Sequence, residues 1–156
     1  MKTEQRTEIP ELQDILLDEL LKRIEDETFD RTLGTQDSIG KKIAGFGTKN
    51  GGILLIGQQD LKDGGKIIGI NEEEFHRAFG NAISNVKPTP LTQQKMVKSG
   101  EAKIALIRVQ DVGVLRPCSY NGAYYERKGD STPRLGPDEV KRYHLLYGSA
   151  SAEELP

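Results

Sequence analysis

IAGFGTKNGGILLIGQQDLKDGGKIIGI, residues 43–70, decides how the chain is read. Asn50-Gly51-Gly52 ends a helix, because Asn and Gly take the left-handed backbone region readily. Ile53-Leu54-Leu55-Ile56 follows as an unbroken aliphatic run. Such a run predicts a strand buried on both faces, and therefore a central one. The glycine-bearing stretch 58–65 reads as a turn, and Lys66–Ile70 is expected to return as the partner strand of a hairpin. Upstream, Ile39, Ile43 and Phe46 share one face of a helix that Thr35 or Asp37 can cap. Gly40, Gly45 and Gly47 each weaken that helix by about 1 kcal/mol relative to alanine, which points to close packing against another backbone.

Working outward, Asn71 with Glu74 three residues on forms a capping box for a third helix. Its inner stripe is Phe75, Phe79, Ala82 and Val86, and Lys87-Pro88-Thr89-Pro90 stops it. Residues 91–98 and 103–112 alternate as two strands around Ser99-Gly100. The segment 118–128 predicts a second hairpin, with Asn121-Gly122 as a type I′ turn. Gly136-Pro137-Asp138 opens a last helix on Val140, Tyr143, Leu146 and Tyr147, and the tail 148–156 reads as disordered. Toward the N-terminus, Leu12, Leu16, Leu20 and Ile24 recur at four-residue spacing after Pro10, predicting an amphipathic helix through about residue 26. The polar stretch 27–37 breaks it. These elements give an α/β class, a mixed α+β sheet in one domain spanning 34–147. An acidic arm with an amphipathic helix (1–33) precedes it and the tail (148–156) follows.

The length of 156 residues suits one domain. Mean hydropathy of −0.56 and an apolar fraction of 35% imply a modest core with polar ends. Cys118 is the single cysteine, which excludes an intrachain disulfide and fits a reducing, cytoplasmic location. The first residues lack the apolar stretch of a signal peptide. No run approaches the roughly 20 apolar residues a membrane span needs, so no membrane partner is expected. Residues 1–33 carry 5 basic against 10 acidic side chains, whereas 34–152 carry 17 against 12. Bulk charge is therefore no polyanion signature, and any nucleic-acid contact needs a local basic patch.

At this point the order of motifs resembles a known family. AGFGTKNGGILLIG (44–57) is similar to the helix end and strand of the Schlafen-type, Alba-like nucleic-acid-binding domain, which typically reads A-F-A-N-T-x-G-G-x-L-L-I-G-V-x-D. Phe46, Gly51, Gly52, Leu54 to Gly57 and Asp60 stand in matching places, and Ile68-Gly69-Ile70 matches the return strand. Ile83 to Pro90, Ile104 to Val109, and Arg116-Pro117 with the later NGAYYERKGDST match in consistent order, over about residues 25–147. The sequence departs at Gly45 and Gly47 for alanines, at Gln58 for valine, and at Phe29-Asp30-Arg31 for an upstream E-F-K signature.

The resemblance implies a nucleic-acid-binding module for DNA or RNA, requiring no cofactor for binding. It also implies an alternative, because some Schlafen relatives are metal-dependent endoribonucleases with three carboxylates. Carried over, these fall on Glu25, Asp30 and Asp60, hard oxygen ligands of the kind that suit Mg²⁺ or Mn²⁺. The candidate phosphate contacts are Lys41, Lys42, Lys49, Arg116, Arg127, Lys128 and Arg134. Tyr124 and Tyr125 lie beside Arg127 and Lys128, on opposite faces of a strand, so at most one is free to stack. A third reading, from a different class, is a protein-interaction module that forms a homodimer through residues 10–26. GFGTKN precedes a strand where a dinucleotide fingerprint would follow one. His76 and His144 lack the spaced partners of a zinc site.

Overall fold

A computed structural model describes residues 9–153, with side chains as far as residue 148. Four strands form the main sheet: β1 (Phe29–Thr32), β2 (Gly52–Ile56), β4 (Thr92–Ser99) and β5 (Ala102–Val109), in the spatial order β1-β2-β5-β4. β1 runs parallel to β2, and the other two pairings are antiparallel. A parallel pair needs a crossover, here α2 (Gln36–Thr48), capped by the Thr35 side chain accepting from the Ser38 N–H. A small second sheet joins β3 (Val86–Lys87), β6 (Ser119–Tyr120) and β7 (Ala123–Tyr124). Asn121 and Gly122 take φ of 51° and 84° in the β6–β7 turn, the left-handed pair that a type I′ turn requires. The fold is thus a mixed α/β domain.

Alternation along β2 sorts the core into two layers. Leu54 and Ile56, with Ala105, Ile107 and Val109 of β5, pack under α2 and α3 (Glu72–Ile83). Ile53 and Leu55, with Phe29, Ile104 and Leu106, face the other way, where Leu12 and Leu20 of the N-terminal segment cover them. β2 is buried along its whole length, as a strand roofed on both sides must be.

The return strand expected at 66–70 does not form. Both edges of β2 are occupied, by β1 and β5, so the segment makes only one bridge, between Gln58 and Ile67. It then crosses to hand the Ile70 N–H to the Lys103 carbonyl at 2.8 Å. The long N-terminal helix is also corrected. It is a short 3-10 turn at Leu12–Asp14 followed by α1 (Leu17–Lys22), with an extended break at Ile15. Leu12 and Leu20 are buried while Leu16 and Ile24 are exposed. Leu20, expected to hold a partner subunit, is taken by the chain's own sheet. The stretch read as a polar break contains β1, so part of the supposed arm is integral to the sheet.

Close packing explains the glycines of α2. A Cβ on Gly40 would run into the ring of Tyr120, and one on Gly47 would lie 2.7 Å from the Cys118 sulfur. Burial pushes that thiol up to about 12, which makes it inert. α4 extends over Pro137–Glu153, so its backbone continues through much of the tail read as disordered; residues 154–156 lie outside the described part. Leu145 and Leu146 are exposed on it, against the expectation that Leu146 faces inward. No helix among the described residues is long and apolar enough to cross a membrane.

Candidate functional site

β1 carries two charged residues side by side, and both are buried. Pairing with Leu54 puts Asp30 on the α2 side of the sheet, and alternation sends Arg31 to the opposite face. A charge in such a place costs several kcal/mol unless it is paired and hydrogen-bonded. Asp30 is paired twice: Oδ2 accepts from Lys42 Nζ at 2.7 Å and from Arg127 Nη1, while Oδ1 accepts from the Arg31 N–H at 2.8 Å. Arg127 donates further to the carbonyls of Asp26 and Phe29 and to Thr132 Oγ1, at 3.0, 3.1 and 2.9 Å. With no exposed surface at all, Arg127 cannot reach a phosphate. Its place among the phosphate contacts is corrected to a core ion pair that ties residues 126–132 to β1.

On the other face, Arg31 holds the N-terminal segment in place. Its Nη2 donates to the carbonyls of Leu20 and Arg23 at 3.0 and 2.7 Å, and its Nε to Gln58 Oε1 at 2.8 Å. Gln58 in turn donates to the carbonyls of Leu21 and Gly65, both at 2.9 Å. Carbonyls at a helix end have no intrahelical partner, and these two side chains satisfy them. Neither role was read from sequence. The signal was present in Gln58, a polar residue where the family pattern has valine, directly after an aliphatic strand.

Glu25, Asp30 and Asp60 do come together. With Arg31, Lys42 and Lys62 they line one cavity of about 440 Å³. The Glu25 carboxyl is raised from 4.5 to about 7, first by burial, then by Asp30 and Asp60, with Arg31 opposing. Arg31 stands 3.7 Å from Glu25 Oε2, too far for a hydrogen bond, and that oxygen is buried without a partner. A divalent metal does not fit this arrangement. Asp30 already gives its oxygens to two cations and a backbone N–H, and no group of three His, Cys, Asp or Glu among the described residues is disposed to hold a metal ion.

The remaining basic residues divide by exposure. Lys49 pairs with Glu126 at 3.3 Å. Arg116 pairs with Asp111 at 3.0 Å, donates to the Lys49 carbonyl at 3.1 Å and lies 5.2 Å from the Tyr147 ring centroid. Both are engaged in holding the fold. Lys41, Lys128 and Arg134 are exposed. The Lys41 ammonium stands 6.0 Å from the centroid of Tyr125, and Tyr125 is bridged to Arg134. Tyr125 is half-buried against the core, so its ring is anchored on one side, with the exposed Lys41 ammonium near it and the exposed Arg134 on the segment paired with its backbone.

A model of the Schlafen, AlbA_2 family matches residues 22–136, from the last residue of α1 to the glycine before α4. The chain belongs to the Schlafen, AlbA_2 family. The match opens inside the acidic arm, in keeping with β1 being part of the sheet. No curated protein matches the chain. Among solved structures it is similar to the DIP2311 protein from Corynebacterium diphtheriae, at 15% identity and a TM-score of 0.56 over 84% of this chain. That protein is much longer, and the chain spans 28% of it. It is also similar to the N-terminal domain of a RecG-related protein from Nitrosomonas europaea, at 19% identity and a TM-score of 0.52, covering 77% of this chain and 90% of that one. At these identities the likeness is one of fold.

Proposed function

We propose that this Schlafen, AlbA_2 domain is a nucleic-acid-binding module whose contact surface centres on Lys41, Tyr125 and Arg134. The observation that carries the reading is a half-buried tyrosine whose ring has the exposed Lys41 ammonium 6.0 Å from its centroid and whose backbone is paired with that of the exposed Arg134. Such an arrangement supplies charge for phosphates and a ring for bases. The RecG-related protein, named for a DNA helicase, supports it by likeness of fold. Lys128, also exposed, extends the surface at its rim, with Glu139 3.8 Å away. Affinity should therefore fall steeply with salt, and replacing Lys41 and Arg134 by alanine should lower the slope of log K against log salt by about 2, one per lost phosphate contact. A slope that both substitutions leave unchanged would place the contact surface elsewhere.

The ribonuclease alternative has one observation in its favour, the cavity shared by Glu25, Asp30 and Asp60. The double pairing of Asp30 weighs against it, since a metal would have to displace Lys42 and Arg127. RNA incubated with the protein and Mn²⁺ or Mg²⁺ is expected to stay intact on a gel. Metal-dependent cleavage that disappears in Asp60→Ala would reverse this choice.

A further inference from the structure

A larger cavity, about 750 Å³, lies between the β6–β7 hairpin and α4. Leu135 and Val140 give it apolar walls, and Tyr124 and His144, also in its lining, pack edge to face against each other with centroids 6.2 Å apart and planes inclined at 88°. Arg134 and Lys141 supply positive charge. No carboxylate lines it. The cavity at Glu25 and Asp60, and a third one bounded by Glu126 and Glu139, both have carboxylates among their lining residues. Size, aromatic edges and unopposed cations together suit a planar ring carrying an anionic group, within the roughly 300–1,000 Å³ usual for small ligands.

We infer that this cavity takes one unpaired base of a single-stranded nucleic acid, with the adjoining phosphate against Arg134 and Lys141. The inference rests on the nucleic-acid reading above and gives it a substrate class. Arg134 connects the two places, because it lines this cavity and its backbone is paired with that of Tyr125, whose ring Lys41 approaches. A base inside a duplex is stacked and paired, and bringing it into a pocket costs a few kcal/mol that an unpaired base does not incur. A free nucleotide would have only the contacts of an open cavity. A strand adds the flanking phosphate contact at Lys41, which raises the effective concentration of the next base. α4, which forms one wall, begins at the residue after the family match ends.

The test is fluorescence anisotropy of the full chain at low salt, with a labelled short oligothymidylate and a labelled DNA hairpin duplex as probes. His144 and Lys141 are exposed on α4, so His144→Ala and Lys141→Ala leave the core intact. His144→Ala should weaken single-strand binding about tenfold, in line with roughly 1–3 kcal/mol for one stacked base. The duplex should change by less than about twofold, since it makes only phosphate contacts. Lys141→Ala should likewise cost the single strand more than the duplex. Equal losses on both probes, or none on either, would overturn the inference and leave the nucleic-acid reading standing. If the unaltered chain binds neither probe, both fall. AMP that displaces the oligonucleotide with an affinity equal to the oligonucleotide's own would make the cavity a free-nucleotide site and overturn the strand assignment.

Discussion

Arg127→Met is expected to cost about 3–5 kcal/mol of folding stability, the range found when one partner of a buried ion pair is removed. The loss is large for a specific reason. Asp30 is almost fully buried and, beside the Arg31 N–H, would keep as hydrogen-bonded cation only Lys42, whose side chain is 24% exposed and so partly solvated. The carbonyls of Asp26 and Phe29 would each lose a donor in the same step. Denaturant unfolding followed by circular dichroism measures the effect as a lower midpoint. The pair can be separated from the space it fills by adding Asp30→Leu, because replacing both charges by apolar groups of similar volume is often close to neutral. The double variant should therefore recover much of the loss. A single variant within about 1 kcal/mol of the parent protein would mean that Arg127 is dispensable to the core, contrary to its geometry.

Gly40→Ala sets two opposed effects against each other. Alanine favours the interior of α2 by about 1 kcal/mol. The added methyl, however, would overlap the ring of Tyr120, and overpacking of this kind costs about 1–3 kcal/mol or more. Sterics win if the ring cannot move, and two features hold it. Tyr120 is 3% exposed, and its hydroxyl donates to Asp37 at 2.7 Å. A net loss of about 2 kcal/mol is expected, and Tyr120→Phe combined with Gly40→Ala should lessen it by releasing the ring. Stabilisation by Gly40→Ala alone would show that α2 and β6 can separate at little cost.

What the sequence disclosed and what it hid follow one physical rule. α2, α3 and the β4–β5 pair were legible because their residues repeat at the period of the element itself, and β2 because an unbroken aliphatic run follows Gly51-Gly52. Even the glycines of α2 announced a close contact, although not the tyrosine that makes it. β1 was not legible, because its two central residues are Asp30 and Arg31, and local pattern assigns such a pair to solvent. Their partners lie at Lys42, Gln58 and Arg127, far along the chain. The segment 66–70 failed in the opposite sense: KIIGI looks like a strand, but the edge it would join belongs to β5. Glu25, Asp30 and Asp60, carried over through family resemblance, line one cavity. That Asp30 is neutralised in the core depended on Arg127, which among its charged neighbours Glu126 and Lys128 gives no sign of being buried.

The strand order β1-β2-β5-β4 also has a kinetic meaning. Joining β4 to β5 closes only the short turn at Ser99–Ala102, a local event of the kind that takes microseconds. Seating β2 against β5 must bring Leu54 to Ile107 across everything between them, including α3, β3 and β4. Loop-closure entropy rises with the length enclosed, and chains dominated by such distant pairings fold more slowly. The strand that looks most strand-like in sequence therefore has to wait for a partner from the other half of the chain. Until β5 arrives, its aliphatic run is the surface most in need of cover.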